Sequence, residues 1–284
     1  MKHAYLILAH NEYEVLSKLI ELIDDPRNDI FIHIDKKSEL PDESYINTLK
    51  SEVYFLKDRV DVRWGHVSQI EAEINLFQSA HEKRKYDFLH LISGVHLPLF
   101  DQNHIHDFYS TKIGTEIFSP MESDPVEAEN KMHRYNFFMD EFRANGKDNL
   151  TAQRLWRLLL ELQHKFGIRR NKGLSFEKAS NWVSISSSAA KYLVDRKSII
   201  LNRYKYTMCG DEFFVISELI NSNMNWKLEH NNKILKHEII NANAKTYKNE
   251  DFEELIKSEC LFARKFSSNN SEIIKLIENK IKNF

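Results

Sequence analysis

The sequence predicts an α/β protein whose first 100 residues form a nucleotide-binding half. Two observations carry this prediction: short, continuous apolar runs recur along the chain, and each run ends abruptly in polar residues. Residues 4–9 and 30–34 are such runs, as expected of parallel strands covered on both faces of a sheet. They end at His10 and Asp35. Because ligands bind at the carboxyl ends of strands in open α/β sheets, we expect a ligand site there.

The elements of the first half follow from the spacing of apolar residues. Between residues 15 and 23 they repeat at helical spacing, with Asn11 as a candidate N-cap. The flanking strands should then be parallel and joined by a right-handed crossover. Ser68 and Glu71 form a capping-box pattern that predicts the start of a second helix. Further strands are predicted at 53–56 and 88–92.

The second half is assigned from fewer signals. Residues 101–150 are polar with interspersed aromatics, and no element is assigned there. Further along, we predict a strand at 182–186 and helices at 150–166, 189–194, 210–220, 251–256 and 272–281. No internal repeat or linker separates the halves, so we expect one domain over residues 1–284.

Composition argues against several functional classes. The 284 residues are 42% hydrophobic and 29% charged, with a net charge of −2, so no overall basic character favours nucleic acid. No apolar run approaches the roughly 20 residues that span a bilayer. The N-terminal residues do not have the pattern of a signal peptide. Two cysteines, Cys209 and Cys260, are typical of a reducing compartment, and we expect a cytoplasmic protein.

Several familiar ligand-binding motifs are absent from the sequence. It contains no GxGxxG, no GxxxxGK[ST], no HExxH and no CxxC. It also contains no Asp-x-Asp, the pair through which many nucleotide-sugar enzymes hold a diphosphate by a divalent cation. His104 and His106 lie two residues apart, a spacing that surface residues of a loop explain as well as metal ligands. We therefore predict no metal site and no bound cofactor.

An acidic pair, Asp211 and Glu212, precedes an apolar stretch. Carboxylates at a helix N-terminus complement the helix dipole, so a simple cap explains the pair. Alternatively, Asp211 caps the helix while Glu212 faces a cleft and takes a proton from a hydroxyl as a general base. The local pattern leaves both interpretations open.

Basic residues suggest two further candidate sites. Arg264 and Lys265 lie in an aromatic and apolar frame, and in an extended segment they would point to opposite faces. One of them would then face an anion, unless the two form a solvated charge pair. Lys245 lies in a similar but weaker setting. The basic loop 165–172 either binds acidic lipid headgroups or a lipid diphosphate, or is simply solvated.

Seven stretches, taken in order, resemble the core-2/I-branching β-1,6-N-acetylglucosaminyltransferase family, which includes peptide O-xylosyltransferases. They span almost the whole chain: residues 4–11, 31–37, 64–76, 91–99, 179–186, 210–214 and 261–266. The resemblance implies a variant GT-A glycosyltransferase fold. In this fold a Rossmann-like nucleotide half, here 1–100, is fused to an acceptor and catalytic half, here 101–284. The resemblance also implies inverting transfer from a UDP-sugar without a metal ion.

The resemblance further implies roles for individual residues. Glu212 is the implied catalytic base. Lys265 is implied to bind the diphosphate in place of a cation, with Lys245 or Arg264 as a second basic group. The residues implied at the nucleotide are Ala9, His10 and Asp35. Acceptor and sugar contacts are expected from His96, Glu116, Arg134, Trp182 and Asp211. The family often has aspartate at the position of His96, so the sugar contact there differs in this chain.

The expected partners are a UDP-sugar donor and a glycan or lipid-linked glycan acceptor, in bacterial surface polysaccharide synthesis. GlcNAc and xylose are the sugars that the resemblance suggests. A cytoplasmic enzyme with such an acceptor could contact the inner face of the membrane peripherally. Two alternatives stay open: a glycoside hydrolase, which needs two carboxylates flanking the scissile bond, and a non-catalytic nucleotide-sugar-binding protein.

Overall fold

The computed structural model describes residues 1–42, 46, 48–144, 147–240 and 243–282, and its core is a seven-stranded sheet. The strands are β1 (His3–Ala9), β2 (Asn28–Ile34), β3 (Glu52–Phe55), β4 (Phe88–Ser93), β5 (His96–Pro98), β6 (Thr115–Pro120), β7 (Arg143–Ala144), β8 (Lys147–Asp148), β9 (Ala179–Ile185), β10 (Lys227–His230), β11 (Leu235–Lys236), β12 (Ile239–Ile240), β13 (Asn243–Ala244) and β14 (Phe262–Arg264). The helices are α1 (Tyr13–Leu22), α2 (Ser68–Lys83), α3 (Gln102–Ser110), α4 (Pro125–Met132), α5 (Leu150–Lys165), α6 (Ser187–Asp195), α7 (Lys197–Tyr204), α8 (Phe214–Ile220), α9 (Phe252–Lys257) and α10 (Ser271–Lys282).

The order of strands in the main sheet is β10-β6-β9-β4-β1-β2-β3. Strand β1 pairs in parallel with β2 on one side and with β4 on the other, and β2 pairs in parallel with β3. Strand β9 is antiparallel to both of its neighbours, β4 and β6. The predicted β-α-β unit is therefore confirmed, and β1 lies where the strand order reverses.

Strands β1, β2 and β4 are buried along their whole length, because both faces of the sheet are covered. Across the sheet, the connection from β1 to β2 runs toward the β3 edge, and the connection from β3 to β4 runs in the opposite direction. Right-handed crossovers then put α1 and α2 on opposite faces. On its face, α2 packs against α6 and α7 as well as the sheet. A small second sheet, β11-β14-β5, lies beside the main one.

Two predicted helix caps are wrong. Helix α1 is preceded by Glu12 rather than Asn11, and Glu12 adopts a left-handed conformation with φ of 54° and no side-chain cap. Ser68 is the first residue of α2 and does not cap it. Its hydroxyl accepts a hydrogen bond from the Arg63 backbone N–H at 2.9 Å instead. The local pattern predicts Asn11 and Ser68 as caps, but neither side chain makes the capping hydrogen bond.

The unassigned region 101–150 contains α3, β6, α4 and the β7–β8 hairpin in the part of the chain that the structure describes. Strand β6 belongs to the main sheet, between β10 and β9. The predicted helix over 210–220 is divided into a 3₁₀ turn, Gly210–Glu212, and α8. Both cysteines are buried and free. Of the helices in the described ranges, none is both long and apolar enough to cross a bilayer.

A buried histidine network joins β1, β4 and α3. His90 Nε2 lies 3.0 Å from His3 Nδ1, and the rings of His3 and His106 stack with their centres 4.0 Å apart. The network ends in hydrogen-bond contacts, His90 to Ser184 at 2.8 Å and His106 to Asn28 at 2.9 Å. Burial lowers the pKa of all three rings, to about 3 for His90 and about 4 for His106. The network is therefore uncharged at neutral pH.

Candidate active site

A cleft of about 390 Å³ opens at the carboxyl ends of β1, β2 and β4. This is the point where the strand order reverses, which is where open α/β sheets bind ligands. Its lining residues come from both halves of the chain: Leu8, Ala9, His10, Asn11, His33, Asp35, Val62, Trp64, Gly65, Gln69, Ser93, Gly94, Val95, Asn181, Trp182, Cys209, Asp211, Glu212 and Arg264. Seven of the predicted site residues are among them: Ala9, His10, Asp35, Trp182, Asp211, Glu212 and Arg264.

The floor of the cleft is built by backbone pairing at the strand ends. The Asp35 N–H donates to the carbonyl of Ala9 at 2.9 Å, and the Gly94 N–H donates to the carbonyl of Leu8 at 2.9 Å. A Cβ atom at Gly94 would lie 2.9 Å from the Cβ of Ala9, so glycine is required for this close approach. The Lys37 ammonium lies 3.2 Å from the Asp35 carboxylate and fixes it at the rim.

The acidic pair enters the cleft on the 3₁₀ turn before α8. Cys209 starts the turn in a left-handed conformation with φ of 51°, and its N–H donates to the Gly65 carbonyl at 2.9 Å. A Cβ at Gly210 would lie 2.6 Å from the Thr207 hydroxyl and 2.9 Å from the Tyr204 ring. Only glycine lets the turn pack this closely, and the packing directs Asp211 and Glu212 to the cleft wall.

Glu212 is held by two lysines that sequence reasoning did not find. The ammonium groups of Lys131 and Lys178 each lie 3.6 Å from Glu212 Oε2. Both also bind Glu127 Oε1, at 2.6 and 2.7 Å. Glu212 Oε2 is buried and makes no hydrogen bond to the described residues. The carboxylate is thus positioned by charge. The two ion pairs involve Oε2, and they do not involve Oε1.

Asp211 differs from Glu212 in its environment. Burial, and after it the negative charge of Glu212, raises the pKa of Asp211 to about 7. Near neutral pH, Asp211 therefore carries its proton in a large fraction of molecules. Two neighbouring carboxyl groups in unlike environments are a common arrangement in acid–base chemistry. The arrangement suits one proton acceptor, Glu212, beside a group that is partly protonated.

A third carboxyl group, Glu73 of α2, lies fully buried beneath the cleft. The side-chain amides of Gln69 and Asn181 donate to its Oε1, at 2.9 and 3.5 Å. Burial raises the pKa of Glu73 well above its usual range, and the negative charge of Asp211 adds to the effect. Glu73 is therefore a neutral acid that orients two cleft-lining amides. One feature of the sequence could have indicated this role: Glu73 lies on the apolar face of the predicted helix.

We expect Glu73→Gln to remove a pH dependence of stability. Because the folded state holds the Glu73 proton more tightly than the unfolded chain, the contribution of Glu73 to stability falls as pH rises above about 4.5, opposite in sign to that of the buried histidines. The loss is about 1.4 kcal/mol per pH unit until the folded pKa is reached. Between pH 5 and 7, urea unfolding should therefore show that the glutamine variant gains stability relative to the unmodified protein as pH rises.

Glu71→Gln is the matched control for this experiment, since Glu71 is a partly exposed residue of the same helix. The Glu71→Gln variant should show the same change of unfolding free energy with pH as the unmodified protein. If the unfolding free energy changed equally with pH in both variants, Glu73 would not be a buried, protonated residue.

Arg264 brings an unusual positive charge to the cleft. The residue lies on β14, opposite His96 of β5, and its guanidinium lies over the Trp182 ring at 4.9 Å. No carboxylate among the described residues pairs with it, and its Nε is buried without a hydrogen-bond partner. Burial lowers its pKa to about 10, so it stays charged at neutral pH. A half-buried cation without a carboxylate partner carries an energetic cost, and an anionic ligand would offset that cost.

Lys265 lies near the end of β1, where its charge acts on His10 and Glu12. Glu12 anchors the segment that follows, because it accepts hydrogen bonds from Ser267 and Ser268 at 2.7–2.8 Å. Lys265 is not a lining residue of the cleft as defined above, but it lies beside Arg264, which is.

Lys245 is adjacent to Lys265 through the backbone, since the Lys265 N–H donates to the Lys245 carbonyl at 3.1 Å. Its ammonium is engaged elsewhere, by Asp251 at 2.7 Å and by Glu238 at 3.3 Å. The structure therefore brings Arg264 to the cleft, with Lys265 beside it, and does not bring Lys245 there. The diphosphate role of Lys245 stays a prediction.

Comparison with known proteins identifies the family. The model of the Core-2/I-Branching enzyme family matches residues 3–257. The chain belongs to this family. The resemblance found in the seven sequence stretches is therefore confirmed. Together with the mostly parallel sheet, membership confirms the predicted fold class, an α/β protein of the variant GT-A type.

Individual similarities are weaker than the family match. The chain is 23% identical over 132 residues to human probable beta-1,3-galactosyl-O-glycosyl-glycoprotein beta-1,6-N-acetylglucosaminyltransferase 7, which covers 45% of this chain and 31% of the human protein. The chain thus spans about a third of the length of that relative. Mouse xyloside xylosyltransferase 1 aligns over 95% of this chain and 98% of its own, at 8% identity and a TM-score of 0.41. The WbbM bifunctional glycosyltransferase aligns over 100% and 50%, at 11% identity and a TM-score of 0.47.

Two predicted sugar contacts of this Core-2/I-Branching family member pack against each other, and only one of them lines the cleft. Trp182 lines it, and His96 packs edge-on against Trp182 with ring centres 5.0 Å apart. The His96 Nδ1 accepts from the Ser93 N–H at 3.0 Å. Burial, and then the charge of Arg264, lowers the pKa of His96 well below its usual range. His96 therefore lies behind Trp182 as a neutral, fully buried ring, and its predicted sugar contact stays a prediction.

Glu116 and Arg134 lie elsewhere in this family member. Glu116 is a buried residue of β6 that accepts from the N–H and hydroxyl of Ser186, both at 2.7 Å. It supports the start of α6 in this way. Arg134 pairs with Glu129 at 2.8 Å and donates to the Ile168 carbonyl. Neither residue lines the cleft, and their acceptor roles stay predictions.

Within the described ranges, no group of three or more His, Cys, Asp or Glu residues is arranged to hold a metal ion. His106 belongs to the buried histidine network, and His104 stacks on Phe100 with ring centres 4.0 Å apart.

Proposed function

We propose that this chain is an inverting, metal-independent glycosyltransferase. In this proposal it moves GlcNAc or xylose from a UDP-sugar to a hydroxyl of a glycan or lipid-linked glycan, in bacterial surface polysaccharide synthesis. Family membership supports the reaction class. One observation carries the proposal for the donor: the half-buried Arg264 guanidinium faces the cleft without a carboxylate partner in the described residues. A nucleoside diphosphate supplies the anion that this cation lacks.

Charge and position assign the roles in the reaction. Arg264 and Lys265 neutralise the charge that builds on the β-phosphate as UDP leaves, a task that a metal ion performs in other enzymes. Asp35, at the end of β2, binds the nucleoside, with Ala9 and His10 beside it. Lysine serves such phosphates as a point charge, and arginine as a planar donor.

Glu212 acts as the general base. It takes the proton from the acceptor hydroxyl, whose oxygen attacks the anomeric carbon on the face opposite UDP. The bond between that carbon and the diphosphate oxygen breaks, and UDP leaves with the electron pair. An α-linked donor therefore gives a β-linked product. Lys131 and Lys178 hold the carboxylate in place by charge, and its Oε2 makes no hydrogen bond to the described residues.

We expect UDP to bind in excess EDTA, and Arg264→Gln or Lys265→Gln to weaken that binding by about 10–100-fold. The estimate corresponds to one charge-assisted hydrogen bond in each case. Uridine, which has no phosphate, should bind both variants as it binds the unmodified protein. Calorimetric titration of both ligands measures these affinities. A panel of UDP-sugars under the same conditions would then identify the donor.

Each component of the proposal can fail separately. Binding that requires added Mn²⁺ would contradict metal independence. An equal loss for UDP and uridine would mean that the cations support the fold rather than the diphosphate. An absence of UDP binding under either condition would contradict the UDP-sugar donor.

A further inference from the structure

Helix α5 presents an apolar stripe to solvent. Leu155, Leu158, Leu162 and Phe166 are 46%, 53%, 39% and 68% exposed. Their spacing of three or four residues places them along one face of the helix and the turn after it. We call this set of four residues the α5 face. Contiguous exposed apolar patches on soluble domains commonly mark interaction surfaces.

An adjacent side of α5 is firmly attached to the protein. Gln163 is buried, accepts from the Tyr135 N–H at 2.7 Å and donates to the Tyr135 carbonyl at 2.9 Å. Trp156 donates to the Asn136 side chain at 2.8 Å. These contacts fix the rotation of the helix. The α5 face is therefore held outward and is not the result of a loosely docked helix.

Positive charges border the α5 face. Residues 150–172 contain six Lys or Arg residues and a single acidic residue, in a chain whose net charge is −2. At 100° per residue, Arg154 and Lys165 lie along one edge of the stripe, with Arg157 behind them. In the part of the chain that the structure describes, no carboxylate forms an ion pair with these three cations. The surface thus combines exposed apolar side chains with a net positive charge, because only Glu161 lies among the cations, four residues from Arg157 and from Lys165.

We propose that the α5 face docks on an anionic lipid surface. Helices with an apolar face and a basic border lie in the plane of a membrane, with apolar side chains in the acyl boundary and cations at the headgroups. A second copy of this chain fits less well. In a two-fold symmetric contact α5 would face α5, and the basic borders would repel each other.

Docking through the α5 face would leave the cleft close to the lipid. Phe142 packs against Trp156 of α5 and against Trp64, with ring centres 5.5 and 5.9 Å apart. Trp64 lines the cleft. The docking proposal does not depend on the proposed sugar transfer. Whatever ligand the cleft binds, docking would place that ligand near the membrane surface.

Vesicle sedimentation tests the proposal with the full chain. The unmodified protein should bind vesicles of phosphatidylcholine mixed with phosphatidylglycerol, bind phosphatidylcholine alone weakly, and lose binding as salt rises. The variant Arg154→Gln/Arg157→Gln/Lys165→Gln should bind about 100-fold more weakly, at roughly fivefold per cation. The variant Leu155→Ser/Leu158→Ser/Leu162→Ser should lose at least about tenfold, since its apolar contacts are removed.

The control is Lys275→Gln/Leu276→Ser on α10, where Leu276 is as exposed as Leu162, at 39% each. It should bind vesicles as the unmodified protein does. A protein that does not bind the mixed vesicles, or a control that loses as much as the α5 variants, would overturn the proposal. So would a dimer in sedimentation equilibrium that the serine variant dissociates, because the face would then be covered by a second copy. UDP binding by the serine variant reports on its fold and separates this proposal from that of the transferase.

Discussion

Glu212→Gln is expected to lower kcat by about 10²–10⁴-fold while UDP binding stays close to that of the unmodified protein. The amide keeps the shape of the side chain but cannot accept a proton from the acceptor hydroxyl. Lys131 and Lys178 lie 3.6 Å from the carboxylate and lose an ion pair in the variant. They keep Glu127 as a partner at 2.6–2.7 Å, so the cleft wall should stay in place.

The measurement is UDP release from UDP-GlcNAc or UDP-xylose with a panel of glycan acceptors, alongside calorimetry of UDP. Asp211→Asn is the matched control, since it neutralises the neighbouring carboxyl group on the same turn. We expect it to cost less than Glu212→Gln and to shift the pH profile of kcat, because the pKa of Asp211 is about 7. A larger loss of kcat in Asp211→Asn than in Glu212→Gln would indicate that Asp211, and not Glu212, is the general base. Rapid release of free sugar to water would favour a hydrolase.

Mild acid is expected to destabilise the folded protein strongly through the buried histidine network. The pKa of His90 is about 3 and that of His106 about 4 in the folded state, against 6.5 in the unfolded chain. Below pH 6.5 the unfolded chain therefore binds more protons, and stability falls as pH falls. At pH 5 each of these rings accounts for about 2 kcal/mol of lost stability, or about 4 kcal/mol together. His3 acts in the same direction.

Such a loss is a large fraction of the total stability of about 5–15 kcal/mol that is typical of a domain. Urea unfolding at pH 7 and pH 5, compared between variants, separates this contribution from the opposite one of Glu73. His106→Gln keeps a side chain that can donate to Asn28, and it should lose about 2 kcal/mol less than the unmodified protein between these pH values. His104→Gln, an exposed neighbour on the same helix, should leave the difference unchanged. The same acid-induced loss in all three proteins would show that the network does not set the pH dependence.

The parallel strands could be predicted because their environment is encoded locally. A strand covered on both faces must be apolar at most positions, and this gives the nearly continuous runs that form β1, β2 and β4. The approximate positions of His10 and Asp35 at the strand ends followed from the same runs. Strand β6 was missed because it joins the main sheet through distant partners, β9 and β10. Nothing in its local pattern indicates those partners.

The sequence by itself determined the family, the fold class and the acidic and basic segments from which the site is built. Which charges are paired was decided by the tertiary structure alone. Lys245 and Arg264 looked alike in sequence, yet Lys245 meets two carboxylates and Arg264 meets none in the described residues. Glu73 became a neutral acid only because folding removes it from water. Electrostatic energies depend on distance and burial, and the fold sets both by joining segments far apart in the chain.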